Sequence, residues 1–312
     1  MANNKKLQEK CDIRVAADID FIEKNTSDPF DGIHIQPIKF ARKNHRINLL
    51  GSFFNALKCV KANYTILKKY KPKLCITDYE PSVAWFAFIN RVPLITVDNQ
   101  HRFNYCDLKL PFPYNVSVLK LAIFNKWYIP HPKYSIISSF SDNLKPKFKH
   151  ASVLNLGVSN LIASPNKVQS IVVYGKEPTY SNIVTALKKV CPNFQLIIYT
   201  NESKSIEAIY KKFDRNNFLD DLTKCSYCIG SAGNQLATEC NWLGIPFLAV
   251  AEDNQIEQIL NTKMLPFGCS NDAIEIESTL KKMLNSKSET TLVKKDGLNQ
   301  AVDIILGELC RY

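Results

Sequence analysis

The sequence predicts an α/β protein in two halves, each a parallel sheet flanked by helices. Three observations predict it. From residue 168 onward, apolar β-rich runs alternate with helix-length amphipathic runs, the pattern of successive βαβ units. The first half shows the same alternation less regularly. The length, 312 residues, suits two domains of ordinary size. The polar, turn-rich stretch 156–167 marks the connection, giving domains of 1–160 and 161–312.

The elements follow in order. Residues 11–18 (CDIRVAAD) and 32–38 (GIHIQPI) read as strands. Residues 47–70 read as a long helix, ended at Lys71-Pro72 because proline cannot continue a helix. A strand at 73–78 precedes a helix at 81–91 that opens with Pro81, a residue tolerated in the first turn. Further strands are expected at 92–98 and 133–139. In the second half, 170–175 is a strand ending on glycine, and 181–191 is a helix with Ile183, Leu187 and Val190 on one face. A strand at 194–200 and a short helix at 205–213 come next. Then follow a strand at 225–230, a helix at 234–244, a strand at 245–250 and a helix at 254–265. Two amphipathic helices, near 273–285 and 291–309, close the chain. An open parallel sheet of this kind takes ligands at the carboxyl ends of its strands.

Composition excludes several classes. There is no run of about 18 uncharged apolar residues, so no membrane-spanning helix is expected. The basic start, MANNKKLQEKCDIRV, lacks the apolar stretch of a secretory signal. Ten scattered cysteines sit mostly in apolar runs, which reads as buried free thiols in a reducing, cytoplasmic setting. Cys225 and Cys228 alone have C-x-x-C spacing, and they read as core positions around a strand rather than a metal site. Charge is lopsided: residues 1–160 carry 24 Lys and Arg against 12 Asp and Glu, and residues 161–312 carry 16 against 17. A basic first half suggests an anionic partner, either a membrane surface met peripherally or a polyanionic acceptor. No nucleic-acid motif accompanies the charge, so no nucleic acid is expected.

The stretch 229–265 concentrates the chemistry. Ser231-Ala232-Gly233 breaks a strand and opens a helix, and Gly233 is expected to permit a tight turn with close backbone approach. The free amides of the next helix, from Asn234, then suit an anion such as a diphosphate. Glu239 stands in an otherwise apolar helix, where a carboxylate can accept two ribose hydroxyls. Glu257 and Gln258 fall early in the following helix, after another strand end, where they can bind sugar hydroxyls or phosphate. In the first half, Asp78 and Asp98 each end a strand and His101 follows in the next loop. Imidazole, with an ordinary pKa of about 6.5, serves well as a general base at neutral pH, and Asp98 can orient it.

These motifs resemble the GT-B glycosyltransferases, in particular the MurG-like UDP-sugar group. The resemblance rests on Ser231-Ala232-Gly233, Glu239, Gly244-Ile245-Pro246, Glu257-Gln258 and Asn261, and it covers the second half from about 168 to 268. The first-half run ITDYEPSVAWFAFINRVPLITVDNQHRF (76–103) resembles the same group. The resemblance implies two Rossmann-like domains facing a cleft, and a hexosyltransferase that moves sugar from UDP to a glycan, lipid-linked or polymer hydroxyl. It implies that Glu239 holds the ribose, that the turn at 231–234 holds the diphosphate, that Glu257 and Gln258 serve the sugar, and that Asn261 belongs to the donor site. Tyr174 and Gly175 would line the cleft, and the backbone around Phe218 would bind the base. Catalysis would be inverting and metal-independent, without a cofactor, because helix N-termini stabilise the leaving diphosphate. The group's usual first strand and G-x-G-H turn have no counterpart here, so the first domain is expected to lack that strand. Two alternatives share the motifs: a UDP-sugar epimerase, and a non-catalytic protein that binds a nucleotide sugar or a partner.

Overall fold

A computed structural model of the chain describes residues 5–17, 32–36, 42–43, 46–47, 49–108, 110, 112–156, 161–177, 179–190, 193–201, 206–253, 255–286 and 297–311. It divides into two compact units. The first comprises Met1–Ser138, Leu144–Leu154 and Gly297–Tyr312, and the second Ser139–Asn143 and Asn155–Asp296. The final helix, Leu298–Leu309, is thus part of the first unit, whereas sequence order alone groups it with the second.

In the first unit, β1 (Val15–Ala17) and β2 (Gly32–His34) pair in parallel. A short antiparallel pair, β3 (Arg42–Lys43) and β4 (Arg46–Ile47), follows. The main sheet is parallel and runs β5 (Cys75–Thr77), β6 (Leu94–Asp98), β7 (Tyr134–Ser138), β8 (Ala151–Leu154). Helix Leu49–Lys68 leads into β5, Pro81–Asn90 joins β5 to β6, and Phe112–Tyr128 lies between β6 and β7. Their inner faces pack Ala56, Ala84, Ala87 and Phe124 onto Cys75 and Leu94, in a core that also holds Ile33 and Ile35. Helix Pro81–Asn90 starts as expected, with Pro81 in the first turn and the Glu80 carboxylate accepting from the Val83 amide at 2.9 Å. Strand β5 is covered unevenly: Cys75 and Thr77 are buried, while Ile76, on the opposite face, is 41% exposed.

The second unit holds one six-stranded parallel sheet. Its strands are β9 (Val168–Tyr174), β10 (Gln195–Tyr199), β11 (Ile209–Lys211), β12 (Cys225–Ser231), β13 (Phe247–Ala251) and β14 (Phe267–Ser270). They lie in the order β11-β10-β9-β12-β13-β14. The chain winds outward one way from β9 and then the other way from β12, so the order reverses between these two neighbours. This is the doubly wound arrangement, whose ligand crevice opens at the carboxyl ends flanking the reversal. Both faces are covered: Ile171 and Val173 of β9 enter one apolar cluster, and Val172 enters the other. Strands buried on both sides read as continuous apolar runs, which is why this half is clear in the sequence. Cys225, Cys228 and Cys240 all lie in the second cluster. In the first unit, among the described residues, the β1–β2 pair and the β5–β8 sheet are separate, with no strand hydrogen-bonded to both.

Several expectations change. The helix expected at 205–213 is replaced by β11, in which Ile209 and Tyr210 pair with Ile197 and Ile198; β-branched and aromatic residues favour that edge position. The helix that does form starts later, at Arg215–Lys224, where the Asp214 carboxylate accepts from the Asn217 amide. Helix Phe112–Tyr128 and strands β8 and β14 were not anticipated. The connector residues 157–160 and the first part of the helix expected at 291–309 lie outside the described residues.

Candidate functional site

In the second unit, β9 and β12 deliver Tyr174-Gly175 and Ser231-Ala232-Gly233 to the reversal of strand order. The two strands approach closely. A methyl group at Gly230 would stand 2.7 Å from the Tyr174 carbonyl oxygen, so only glycine fits there. Gly233 behaves differently from its expectation. Its φ of −72° is open to any residue, and a side-chain carbon there would meet nothing within 4 Å. The glycine therefore leaves room in front of the helix rather than making the turn possible. The turn itself is held by Ala232 N–H donating to the Val250 carbonyl at 2.9 Å and by Asn261 Nδ2 donating to the Ala232 carbonyl at 2.7 Å. Asn261 is fully buried, so it fastens the turn from below.

Helix Asn234–Leu243 begins at this turn with no side chain capping it. Its first amides have no intrahelical acceptor and carry the positive end of the helix dipole. Asn234 adds a buried side-chain oxygen without a hydrogen-bond partner. Gly244, at φ 66°, closes the helix in the left-handed conformation ahead of Pro246.

Glu239 lies one turn further in and is 1% exposed, so it is no ordinary solvated helix residue. Its two oxygens face the guanidinium of Arg215: Nη1 donates to Oε2 at 3.2 Å, and Nη2 donates to Oε1. This two-pronged geometry is the strong form of an arginine–carboxylate pair. Arg215 was not anticipated. It sits just after the Asp214 cap at the start of a helix, and nothing in its local pattern links it to a carboxylate 24 residues away.

A second network joins the ends of β12 and β13. Ser231 Oγ donates to Glu252 Oε1 at 3.2 Å, and the Glu252 amide donates to Gln258 Oε1 at 2.8 Å. Gln258 therefore holds the loop through its carbonyl and leaves its amide nitrogen to other partners. Glu252, also unanticipated, directly follows the last residue of β13, and the rule that ligands meet strand carboxyl ends is the signal for it. Glu257 lies in the first turn of the next helix and is partly exposed. Phe218 is 2% exposed and packs on Tyr174, Tyr199 and Phe213. The amides of Asn217 and Phe218 bond to Asp214 within the helix.

In the first unit, Asp78 and Asp98 follow or end the adjacent strands β5 and β6. Asp98 grips His101 twice: Oδ1 accepts the His101 amide at 2.8 Å, and Oδ2 lies 2.7 Å from Nδ1. Both side chains are 2% exposed. The imidazole stacks on Tyr105, with ring centres 5.7 Å apart, and meets Tyr79 edge-on. Asn125 braces this corner by donating to the Gln100 carbonyl and accepting from the Tyr79 hydroxyl. Tyr79 takes a φ of 54°, uncommon for a tyrosine, at the bend after β5. Loss of solvation, and then the Asp98 charge, push the Asp78 carboxyl above its ordinary value. Asp78 itself remains exposed, which weakens that desolvation. The structure thus joins Asp98 to His101 and leaves Asp78 as a neighbour.

Among the described residues no three His, Cys, Asp or Glu side chains cluster as a metal site. The sequence does contain one Asp-x-Asp spacing, Asp18-Ile19-Asp20, which lies outside the described residues.

The family model for glycosyl transferase family 1 matches residues 18–286. No curated protein matches the chain. Among solved structures, the glycotransferase of kitacinnamycin is similar at a TM-score of 0.64 and 10% identity, covering 95% of this chain and 91% of that one. The MurG of Acinetobacter baumannii is similar at 0.60 and 13%, covering 96% and 92%. UGT89C1 of Arabidopsis thaliana, solved with UDP-L-rhamnose, is similar at 0.64 and 12%, covering 98% and 93%. At these identities the likeness is one of fold: two Rossmann-like units of the GT-B kind.

Proposed function

The chain belongs to glycosyl transferase family 1, and from that premise we propose that it moves a sugar from a UDP-sugar to a hydroxyl acceptor with inversion. The observation that carries the donor reading is the uncapped start of helix Asn234–Leu243 at the β9–β12 reversal, with the buried Glu239 one turn behind it. UDP-L-rhamnose in the plant protein of similar fold supports a uridine donor. The diphosphate meets the helix amides, whose dipole stabilises the charge that develops as UDP leaves. Glu239 takes the ribose hydroxyls and shares its carboxylate with Arg215. Glu257 and the Gln258 amide nitrogen serve the sugar, and Ser231 and Asn261 keep the turn in place.

In the first unit His101 acts as the base. Asp98 fixes Nδ1 and stabilises the imidazolium, so that Nε2 takes the proton of the acceptor hydroxyl as it attacks the anomeric carbon. The basic first half faces an anionic acceptor or membrane surface, in a cytoplasmic setting that keeps the buried thiols reduced. The reaction runs without metal.

Calorimetry with UDP tests the donor site. The wild type binds, Glu239→Ala binds more weakly by roughly 1–3 kcal/mol, and Arg215→Ala shows how much of that loss passes through the ion pair. A wild type that does not bind UDP sinks the reading. Incubating enzyme and UDP-sugar without acceptor, with and without chelator, completes the test. An epimerised sugar nucleotide assigns the chain to the epimerase alternative, and loss of transfer on chelation removes metal independence. Binding with no turnover under any condition assigns it to the non-catalytic alternative.

A further inference from the structure

Glu252 directly follows Ala251, the last residue of β13, and is half-buried. Its position is fixed from two sides. Its backbone amide donates to Gln258 Oε1 at 2.8 Å, and its Oε1 accepts from Ser231 Oγ at 3.2 Å. Ser231 ends β12, paired with Val250 of β13, and stands two residues before Gly233, where helix Asn234–Leu243 begins uncapped. The carboxylate is therefore held beside the anion turn. Ser231 takes Oε1 alone, which leaves Oε2 to another donor.

Strand order decides which part of a nucleotide sugar meets this oxygen. Strands β9, β12 and β13 lie side by side in that order. Glu239 is paired with Arg215, whose helix packs on β9 and β12. Glu252 and Gln258 follow β13, on the opposite side of β12. A donor with its diphosphate on the helix amides thus turns its ribose toward the β9 side and its sugar toward β13. The charges on the sugar side have one sign. Residues 225–262 contain no lysine, arginine or histidine, and they carry Glu239, Glu252, Asp253 and Glu257. Lys176, an exposed cation, follows β9 and so stands beyond β12 from Glu252. A sugar hydroxyl can donate to Oε2 and form a charge-assisted hydrogen bond. A sugar carboxylate finds no cation in these segments and is set against Glu252, like charge to like.

We propose that Glu252 selects the donor's sugar: it accepts a ring hydroxyl of an uncharged hexose and rejects a uronic acid. The proposal rests on the donor reading above and adds to it the class of sugar. Calorimetry of the full chain with UDP, UDP-glucose and UDP-glucuronic acid tests it. The wild type binds UDP-glucose more tightly than UDP-glucuronic acid by about thirty-fold or more, the effect of bringing two like charges together at a half-buried site. Glu252→Gln keeps the shape, and its side-chain oxygen still accepts from Ser231. This variant binds UDP-glucuronic acid about tenfold more tightly than the wild type does, a gain that a damaged fold cannot give. Glu252→Ala, which removes the charge without supplying an amide, gives a gain in the same direction. A wild type that does not bind UDP overturns the donor reading and the proposal with it. A wild type that binds UDP but takes both sugar nucleotides equally overturns the proposal alone. So does a preference for UDP-glucose that stays unchanged in both variants.

Discussion

At His101 the chemistry and the packing are hard to separate, because the same Asp98 carboxylate holds both the backbone amide and the ring. His101→Ala is expected to lower turnover ~100-fold or more, the scale of general-base loss, while leaving UDP affinity nearly unchanged. Wild-type turnover in His101→Ala removes the assignment. This pair was legible in the sequence because its members stand at i and i+3 at a strand end, a spacing that closes within one turn. Glu239 was legible too, as a lone carboxylate in an apolar helix, but its partner was not: the Arg215–Glu239 contact depends on how two helices pack beside β12. Asn261 and Gln258 stood out as polar residues, yet much of what they do is hold backbone, which a residue's type does not announce.

Among the elements, β9 and β12 are the pair on which the donor site depends, and Gly230 sets their separation. Gly230→Ala places a methyl 2.7 Å from the Tyr174 carbonyl oxygen, and backbone cannot swing aside as a side chain can. The variant should lose about 1–3 kcal/mol of stability, the usual cost of overpacking, read as a lower urea midpoint. An unchanged midpoint would show that the strands part freely. Strands buried on both faces were read correctly because their apolar runs are continuous. Helix Phe112–Tyr128 carries Pro113 in its first turn, where proline does not interrupt a helix, so the stretch was open to a helical reading that the sequence analysis did not make. Strand β11 was missed because a short run such as EAIYKKF fits either period, and pairing with β10 decides it.

At the scale of the whole molecule, the two-part α/β architecture came from the alternation of runs, while membership of the last helix in the first unit came only from the structure, since nothing local says where a chain returns. One feature of the first unit reaches beyond its own stability. Strand β5 pairs only with β6 among the described residues, and its middle residue, Ile76, is 41% exposed on the face away from the helices. A strand edge of this kind offers backbone donors and acceptors in a row, and an apolar side chain beside them rewards whatever pairs there. Shelf life should therefore be governed by concentration rather than by heat: stored samples are expected to thicken into strand-paired aggregates well below the melting temperature. Ile76→Lys should raise the concentration at which light scattering begins while moving Tm by about 2 °C or less. If scattering instead follows the melting curve and ignores the substitution, aggregation starts from the unfolded chain and the edge is harmless.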